Sequence, residues 1–400
     1  IIHVSICGHS EIEKLHNQKT GGAALFVPMS GTVQTWMREA AGLFAAVGIF
    51  PGYDPELIPA EAADALLSMN SAPSALEMYA VLKQRGTCVR FITDPDIYKG
   101  MHRAARAVYR FRNSRILRIG GTEAWVLSSD HNAAVYNERL GIEVADIELQ
   151  ELYSRFKAVS GEEAAPLAAA YMESARQVAE PEAEDVSAAA RLVLALEQVL
   201  TEHEADGAAV SCFRLLADLD TTSCMALSYL NDHPSYIGGC EGDLDSAAIL
   251  TMLKALTEKP VWMANPIVGK EMELQLAHCT APLSFAGNGR AYDLRSHHES
   301  GIGVSPAVEM GVGESVTLCR MSAEQGMMSS FCGITRPMRK RPTCRTGIGV
   351  QLDNMSGFMD TLLGLHQSLV YGQWCAELAL CAEMLELEYA GERKPVSSFS

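Results

Sequence analysis

No CxxC pair occurs among the eleven cysteines of this 400-residue chain, and no GxGxxG occurs anywhere in it. Without paired cysteine spacing, neither a disulfide framework nor a structural zinc site is expected. The cysteines read instead as small buried apolar residues of a reducing compartment. Basic charge is also scarce: 32 Lys and Arg stand against 49 Asp and Glu, a formal net charge of −17. Phosphate backbones need a basic face, so nucleic acid is not an expected partner. The single basic cluster (Arg336, Arg339, Lys340, Arg341 and Arg345) reads as a charged exposed loop. No uncharged apolar run reaches the roughly 18 residues of a membrane span. The Ala-rich stretch 188–200 is broken by Arg191 and Glu197. Residues 1–7 run directly into Gly8-His9 and a charged segment, which is not the pattern of a secretory signal, so the cytoplasm is the expected location. No repeat at a fixed period is present. What remains, 48% hydrophobic and 20% charged, is a globular composition with length for two or three domains.

The first third alternates strand-like and helical runs. Residues 23–28 read as an apolar strand ending in the turn Met29-Ser30-Gly31-Thr32, and 34–47 as a helix carrying Trp36, Leu43 and Phe44. Ser74 is a candidate N-cap for a helix over 75–85, Gly86 its stop, and 88–92 the next strand. Strand, helix, strand in this order indicates parallel α/β packing. A second such unit opens with the strand 115–119 and Gly120-Gly121, a plain strand-to-loop turn rather than a nucleotide site. Further strands are expected at 143–147, 208–213 and 260–264, with helices at 188–203 and 246–257 and a helical or linker-like stretch at 159–184. Beyond about residue 285, short glycine-separated β runs (301–304, 315–319, 347–352) indicate a β-rich C-terminal domain, closed by helical segments at 357–363 and 373–387.

Carboxylates and imidazoles gather in loops after these strands. Glu241 sits within Gly238-Gly239-Cys240-Glu241-Gly242-Asp243-Leu244-Asp245, where flanking glycines permit close backbone approach. His278 and His366 lie in apolar surroundings, where an imidazole must find a partner. His297-His298-Glu299 adds a further cluster. Glu and His together suit Mn²⁺, Fe²⁺, Co²⁺ or Zn²⁺. Each has a plainer alternative. Lone histidines are often hydrogen-bonded core residues, and adjacent ones on a strand face opposite ways, so at most one of His297 and His298 serves a site. Asp243 and Asp245 can simply cap the following helix. Cys240 and Cys279 flank Glu241 and His278, yet nothing in the sequence marks either as a low-pKa nucleophile, and both read as buried structural thiols.

Taken in order, several short motifs resemble the L-fucose isomerase/L-arabinose isomerase superfamily, in its shorter fucose-isomerase-like branch. They are Phe26-Val27-Pro28-Met29-Ser30-Gly31-Thr32, Ser211-Cys212-Phe213, Gly239-Cys240-Glu241-Gly242-Asp243-Leu244 and Met263-Ala264-Asn265-Pro266. Ala277-His278-Cys279-Thr280-Ala281-Pro282, Ser296-His297-His298-Glu299-Ser300-Gly301, Cys344-Arg345-Thr346 and Leu365-His366-Gln367-Ser368-Leu369-Val370-Tyr371-Gly372 complete the series. The resemblance implies two α/β (Rossmann-like) domains, 1–113 and 114–258, the second carrying Glu241. A β-rich, barrel-like C-terminal domain, 259–400, would carry Asn265, His278 and His366. It also implies a homo-trimer or homo-hexamer, with a small-molecule sugar and a divalent ion, commonly Mn²⁺, at a site near a subunit boundary, and no membrane partner. Glu241 falls at a metal-binding catalytic glutamate, His366 at a late histidine ligand, and His278 at the additional histidine of arabinose isomerase sites. Asn265 stands where fucose isomerases keep an aspartate that is both ligand and base. An amide can coordinate through oxygen but cannot take a proton. Glu241 would then act alone or with His298, Glu299 or Asp243. Leu365 replaces an Asn that relatives often carry. Ser30, Thr32, His278, His298 and Glu299 are the expected sugar-binding residues, Ser30 and Thr32 from a neighbouring subunit. The expected activity is aldose–ketose isomerisation through an enediol. The alternatives are epimerisation or β-elimination at the same site, or non-catalytic sugar binding.

Overall fold

The computed structural model describes residues 9–16, 22–51, 70–270, 272–287, 291–339 and 343–391. The chain divides into two compact units: one from the first 110 residues together with 376–386, the other from 111–375 with a short return at Leu387.

The first unit holds a parallel three-stranded sheet in the order β1 (Ala23–Phe26), β2 (Ala46–Ile49), β3 (Val89–Phe91). Phe26, Val47, Ile49 and Val89 pack with Met37, Met78 and Leu82 from the helices Gln34–Ala41 and Ser71–Gln84. The helix expected over 34–47 stops at Ala41, and its last residues belong to β2 instead. Gly42 closes the helix, and the β-branched Val47 and Ile49 pair beside β1 with every residue of the strand buried. Ser74 does not cap the next helix: Asn70 precedes it in the left-handed region, and the Ser74 hydroxyl bonds back to the Asn70 carbonyl at 2.6 Å.

The second unit begins with β4 (Arg115–Ile119), β5 (Glu143–Ile147) and the short β6 (Gln177–Val178). β7 (Gly207–Val210) and β8 (Ile237–Cys240) complete a parallel sheet of order β5-β4-β7-β8. The strand expected to continue to 213 ends at Val210, because Cys212 already opens a helix, Cys212–Leu219. Then follow β9 (Trp262–Val268), β10 (Leu274–His278), β11 (Tyr292–Arg295) and β12 (Ser305–Val308). The remaining strands are β13 (Ser315–Ser322), β14 (Met327–Arg336), β15 (Thr346–Leu352), β16 (Gln367–Tyr371) and β17 (Glu388–Gly391). Six of them close into an antiparallel barrel, β13-β16-β9-β10-β15-β14 and back to β13, with β17 added in parallel outside β14. β-character therefore starts at Trp262, earlier than the glycine-rich runs imply. The run 301–304 is a loop, with β12 just beyond it.

One helix joins sheet to barrel. Leu244–Thr257 packs on β7 and β8 and also on β13 and β16, and all its residues are buried. A helix that is apolar nearly all round can only settle in such a position. Its N-terminus is thus delivered, dry, to the C-terminal edge of the sheet and the end of the barrel. No described helix is long and apolar enough to cross a membrane.

Candidate metal and sugar site

In an open parallel sheet, ligands sit beyond the carboxyl ends of the strands where the strand order reverses. Here the chain leaves β4 for β5 on one side, then returns to build β7 and β8 on the other. Loops from both sides meet at that reversal. Glu123, after β4, accepts from the Ser211 hydroxyl at 2.7 Å and from the Phe213 and Arg214 amides, capping the helix after β7. Glu241 follows β8 directly with φ at +60°, a left-handed conformation that costs a non-glycine residue about 1–3 kcal/mol. Two backbone bonds hold it there, Glu123 N–H to the Glu241 carbonyl at 3.0 Å and Gly242 N–H to Val210 at 3.0 Å. Gly242 is also left-handed (φ +65°), and a Cβ on it would strike the Gly121 carbonyl. The close approach that these glycines permit is therefore between two loops.

The Glu241 carboxylate is buried, and its Oε2 accepts from the Trp125 indole at 2.7 Å. Oε1 lies 3.6 Å from His366 Nε2. Burial opposes the charge, but His366, His278 and Trp125 hold this carboxyl below the usual glutamate range. His366 is aimed from behind: its Nδ1 donates to Asp243 Oδ2 at 2.8 Å. Burial works against a charged imidazole, yet Asp243 and Glu241 raise it to about 8.

Asp243 caps the helix Leu244–Thr257 by accepting from Ser246 N–H at 2.8 Å, and it does more than cap. Arg320 of β13 grips it with two bonds, 2.9 and 3.2 Å, and the Ser129 hydroxyl adds a third at 2.6 Å. Both members of this ion pair are fully buried. Despite burial, Arg320 and His366 keep Asp243 well below the usual carboxylate range. Asp245 behaves oppositely: burial, opposed by Arg320 and helped by Asp243, pushes it up, and Tyr136 and the Ala323 amide bond its Oδ1.

The barrel supplies the remaining donors in register. Ala277 of β10 pairs with Asn265 of β9, and Gln367 of β16 pairs with Ala264, which carries His366 to the level of Asn265. His278 ends β10; its ring lies 5.6 Å from that of His366, and its Nδ1 contacts the Thr280 hydroxyl at 3.0 Å. Burial, with His366 nearby, lowers His278 to about 4, so it is neutral at pH 7. Asn265 Oδ1 and His366 Nε2 are buried polar atoms with no hydrogen-bond partner. Buried polar atoms are rarely left so, and these face the same place as Glu241 and His278. A carboxylate, an amide oxygen and imidazoles suit a divalent cation of the Mn²⁺ to Zn²⁺ range. Cys240, Glu241 and His278 place donor atoms within 4.8 Å of one another.

Glu241, Asn265 and His278 line a cavity of about 40 Å³ together with Phe213, His297 and Glu299. His297, not His298, faces it. These two residues lie beyond β11 in an irregular turn rather than on a strand, so strand alternation does not govern them. Glu299 is exposed at this cavity. Ser30 and Thr32 belong to the first unit, where their hydroxyls bond each other at 2.7 Å. Lys340 and Arg341 of the basic cluster lie outside the described residues; Arg336 bonds Gln351, Arg339 pairs with Glu273, and Arg345 bonds Ser296.

The residues missed from sequence are Arg320, Trp125 and Glu123, while of the pair His297 and His298 the sequence points to His298 and the cavity is lined by His297. Arg320 had a signal: a lone cation within the apolar run Val316 to Met321 must find a buried anion. The two thiols weighed earlier differ. Cys212, 2.9 Å away, and burial push the Cys240 thiol up, whereas neighbouring Cys224 and Cys344 hold Cys279 well below its ordinary value.

Residues 115–259 match the family model of the L-arabinose isomerase central domain. The match covers a little over a third of the chain, taking in the four-stranded sheet, Glu241 and Asp243 but not the barrel residues. A search of curated proteins found no match to the chain.

Proposed function

We propose that this chain is a divalent-metal-dependent aldose–ketose isomerase acting on a free or modified sugar through an enediol. The observation that carries the reading is the meeting of Glu241, from the sheet, with Asn265, His278 and His366, from the barrel, around buried polar atoms that have no hydrogen-bond partner. The likeness of 115–259 to an arabinose isomerase domain supports the same chemistry.

Glu241, Asn265, His366 and His278 would hold the ion, Mn²⁺ being the expected one. When bound, it supplies Lewis-acid polarisation of the sugar's carbonyl and hydroxyl oxygens. Glu241 carries the proton between C1 and C2. Its depressed pKa keeps it ionised, and Trp125 fixes the oxygen that faces away from His366. Asn265 cannot take a proton, so it contributes its amide oxygen alone. Asp243, pinned by Arg320, holds His366 with Nε2 towards Glu241, the arrangement by which a carboxylate orients an imidazole ligand. Phe213, on the cavity wall, packs edge-on against Trp125 at 5.0 Å and steadies the indole that holds Glu241. Glu299, at the cavity, and His298 beside it are proposed to contact sugar hydroxyls, and Ser30 and Thr32 to do so from a neighbouring subunit of a trimer or hexamer in the cytoplasm.

The test combines a Mn²⁺ titration with sugar turnover followed by NMR in deuterated water. Wild type is expected to bind the ion and to convert an aldose to its ketose with deuterium incorporation. Glu241→Gln should lose turnover and His366→Ala the ion. Full isomerisation by Glu241→Gln sinks the assignment. Loss of a leaving group, or inversion without a ketose, would mean elimination or epimerisation. Sedimentation of a monomer would remove the subunit-boundary part of the reading.

A further inference from the structure

The same cavity carries a second donor set of different character. Cys224, Cys279 and His297 are all buried, and their ligand atoms lie within 4.8 Å of one another. They arrive from three separate elements. Cys224 opens the helix Cys224–Asp232, Cys279 follows β10, and His297 sits in the turn after β11. Other buried thiols behave as core fillers: Cys319 and Cys381 each reach only a backbone carbonyl, at 3.8 Å. Cys224, Cys279 and His297 instead line a cavity, which gives an ion a place to enter.

We propose that Cys224, Cys279 and His297 form a second cation position in this cavity, one that takes Zn²⁺ through two thiolates and an imidazole. Zinc–sulfur bonds of about 2.3 Å in tetrahedral geometry put ligand atoms roughly 3.8 Å apart, so this triplet needs to contract by about 1 Å at most. Binding releases to solvent whatever thiol proton the pair still carries, that of Cys224 foremost, and no electron is transferred. Cys224 opens its helix facing Cys279, and that neighbour and burial push its thiol up, so its proton leaves only as the ion takes its place. The His297 ring is oriented in advance: Nδ1 contacts the Ser300 hydroxyl at 3.0 Å, and Phe213 packs edge-on at 5.8 Å, leaving Nε2 to ligate. Three protein ligands leave a fourth direction open, with Cys344 beside Cys279 on the cavity wall. Sulfur donors select Zn²⁺ over Mn²⁺, so this position differs in chemistry from the one at Glu241. The inference does not rest on the isomerase reading, since it needs neither sugar nor turnover.

The test uses the full chain, stripped with chelator under reducing conditions and loaded with Zn²⁺, then with Co²⁺ as a spectroscopic probe. Zinc-edge X-ray absorption of wild type is expected to show two sulfur neighbours and a histidine nitrogen, and needs no variant to fold. Co²⁺ should give thiolate-to-metal charge-transfer absorption that Zn²⁺ abolishes by displacement. Cys224→Ser and Cys279→Ser should each lose that absorption and weaken Zn²⁺ binding by about tenfold or more, while Glu241→Gln keeps both. Oxygen and nitrogen neighbours only would overturn the proposal. So would a single sulfur lost in Glu241→Gln but kept in Cys224→Ser, which would assign the ion to Cys240, Glu241 and His278. Failure of Mn²⁺ to bind would affect the isomerase reading alone.

Discussion

The two parallel sheets of this chain start from the same strand–helix–strand grammar and end differently. In the first unit the order of the described strands is β1-β2-β3, always stepping to the same side, with no reversal among the described residues. In the second the order β5-β4-β7-β8 reverses at β4, so loops after β4, β7 and β8 converge. In the first unit the brace is a neutral hydroxyl, Ser71 bonding the Pro28 carbonyl at 2.5 Å, whereas the second loop set is cross-braced by buried charged side chains. Glu123 reaches across to Ser211, Trp125 to Glu241, and Asp243 to Arg320 and His366. The hydroxyls of Ser30 and Thr32, by contrast, bond each other at the surface. Chemistry has collected where topology closes a crevice and a wholly buried helix brings a charged N-terminus into it.

The largest expected effect comes from breaking the brace. Arg320→Ala leaves Asp243 charged, buried and without its cation, a situation that costs about 3–5 kcal/mol. Urea unfolding should show that loss, and a change under about 1 kcal/mol would mean the brace contributes little to stability. His366 should lose its fixed orientation as well, weakening Mn²⁺ binding.

Next in size is Gly242→Ala. The positive φ and the collision with the Gly121 carbonyl together should cost roughly 1–3 kcal/mol. Because the strained segment carries Glu241, Mn²⁺ affinity should fall by about tenfold while the far-ultraviolet circular dichroism is unchanged. Gly86→Ala makes a sharp control. Its φ is equally positive, at +76°, but a Cβ there meets nothing, so it should cost less and leave metal binding alone.

How much of this contrast can be read from residues alone follows from the range of the interactions. β5 lies where the sequence places it, over 143–147, and the helix 246–257 is legible as an apolar run behind a carboxylate. The carboxylate and imidazoles are legible as chemistry, but their meeting is not, since Glu241 and His366 are joined only by the barrel closing on the sheet. Asp243 shows the limit best. As an N-cap it is a local feature; as the hinge between Arg320 and His366 it depends on residues 77 and 123 positions away. The strand at 46–49 is illegible locally because its residues extend a helical-looking run, and only pairing with β1 decides it. His297 against His298 fails for a related reason, as alternation applies to strands and these residues occupy a turn.

A smaller effect separates buried from exposed ion pairs. Glu180 bonds Arg295 through Nε at 2.6 Å, but the side chains remain 40% and 31% exposed. The Arg295 bond, against a burial penalty, lowers the Glu180 pKa from 4.5 to about 2. A carboxyl depressed in the folded state adds stability above its unfolded pKa, so this contribution is full above about pH 4.5. It is lost as pH falls towards 2. Solvent screening limits it to about 0.2–1 kcal/mol. Glu180→Gln should therefore lower stability slightly at pH 7 and hardly at all near pH 2.5. A larger loss at the acid end would reverse the sign of the argument.

The smallest stability effect belongs to the first sheet's loop. Among the described residues Ser30 bonds only Thr32 through its side chain, at the surface, so Ser30→Ala should change unfolding free energy by no more than about 0.5 kcal/mol. That near-silence is informative, because the proposed subunit-boundary role predicts a kinetic effect instead. If Ser30 reaches a sugar bound in a neighbouring subunit, the variant raises KM with kcat unchanged, the signature of lost uniform binding. Diluting the protein until the oligomer dissociates should then abolish the difference between variant and wild type. A stability loss above about 1 kcal/mol would instead mean that this loop is braced like the one after β8, and the contrast between the two sheets would lose its basis.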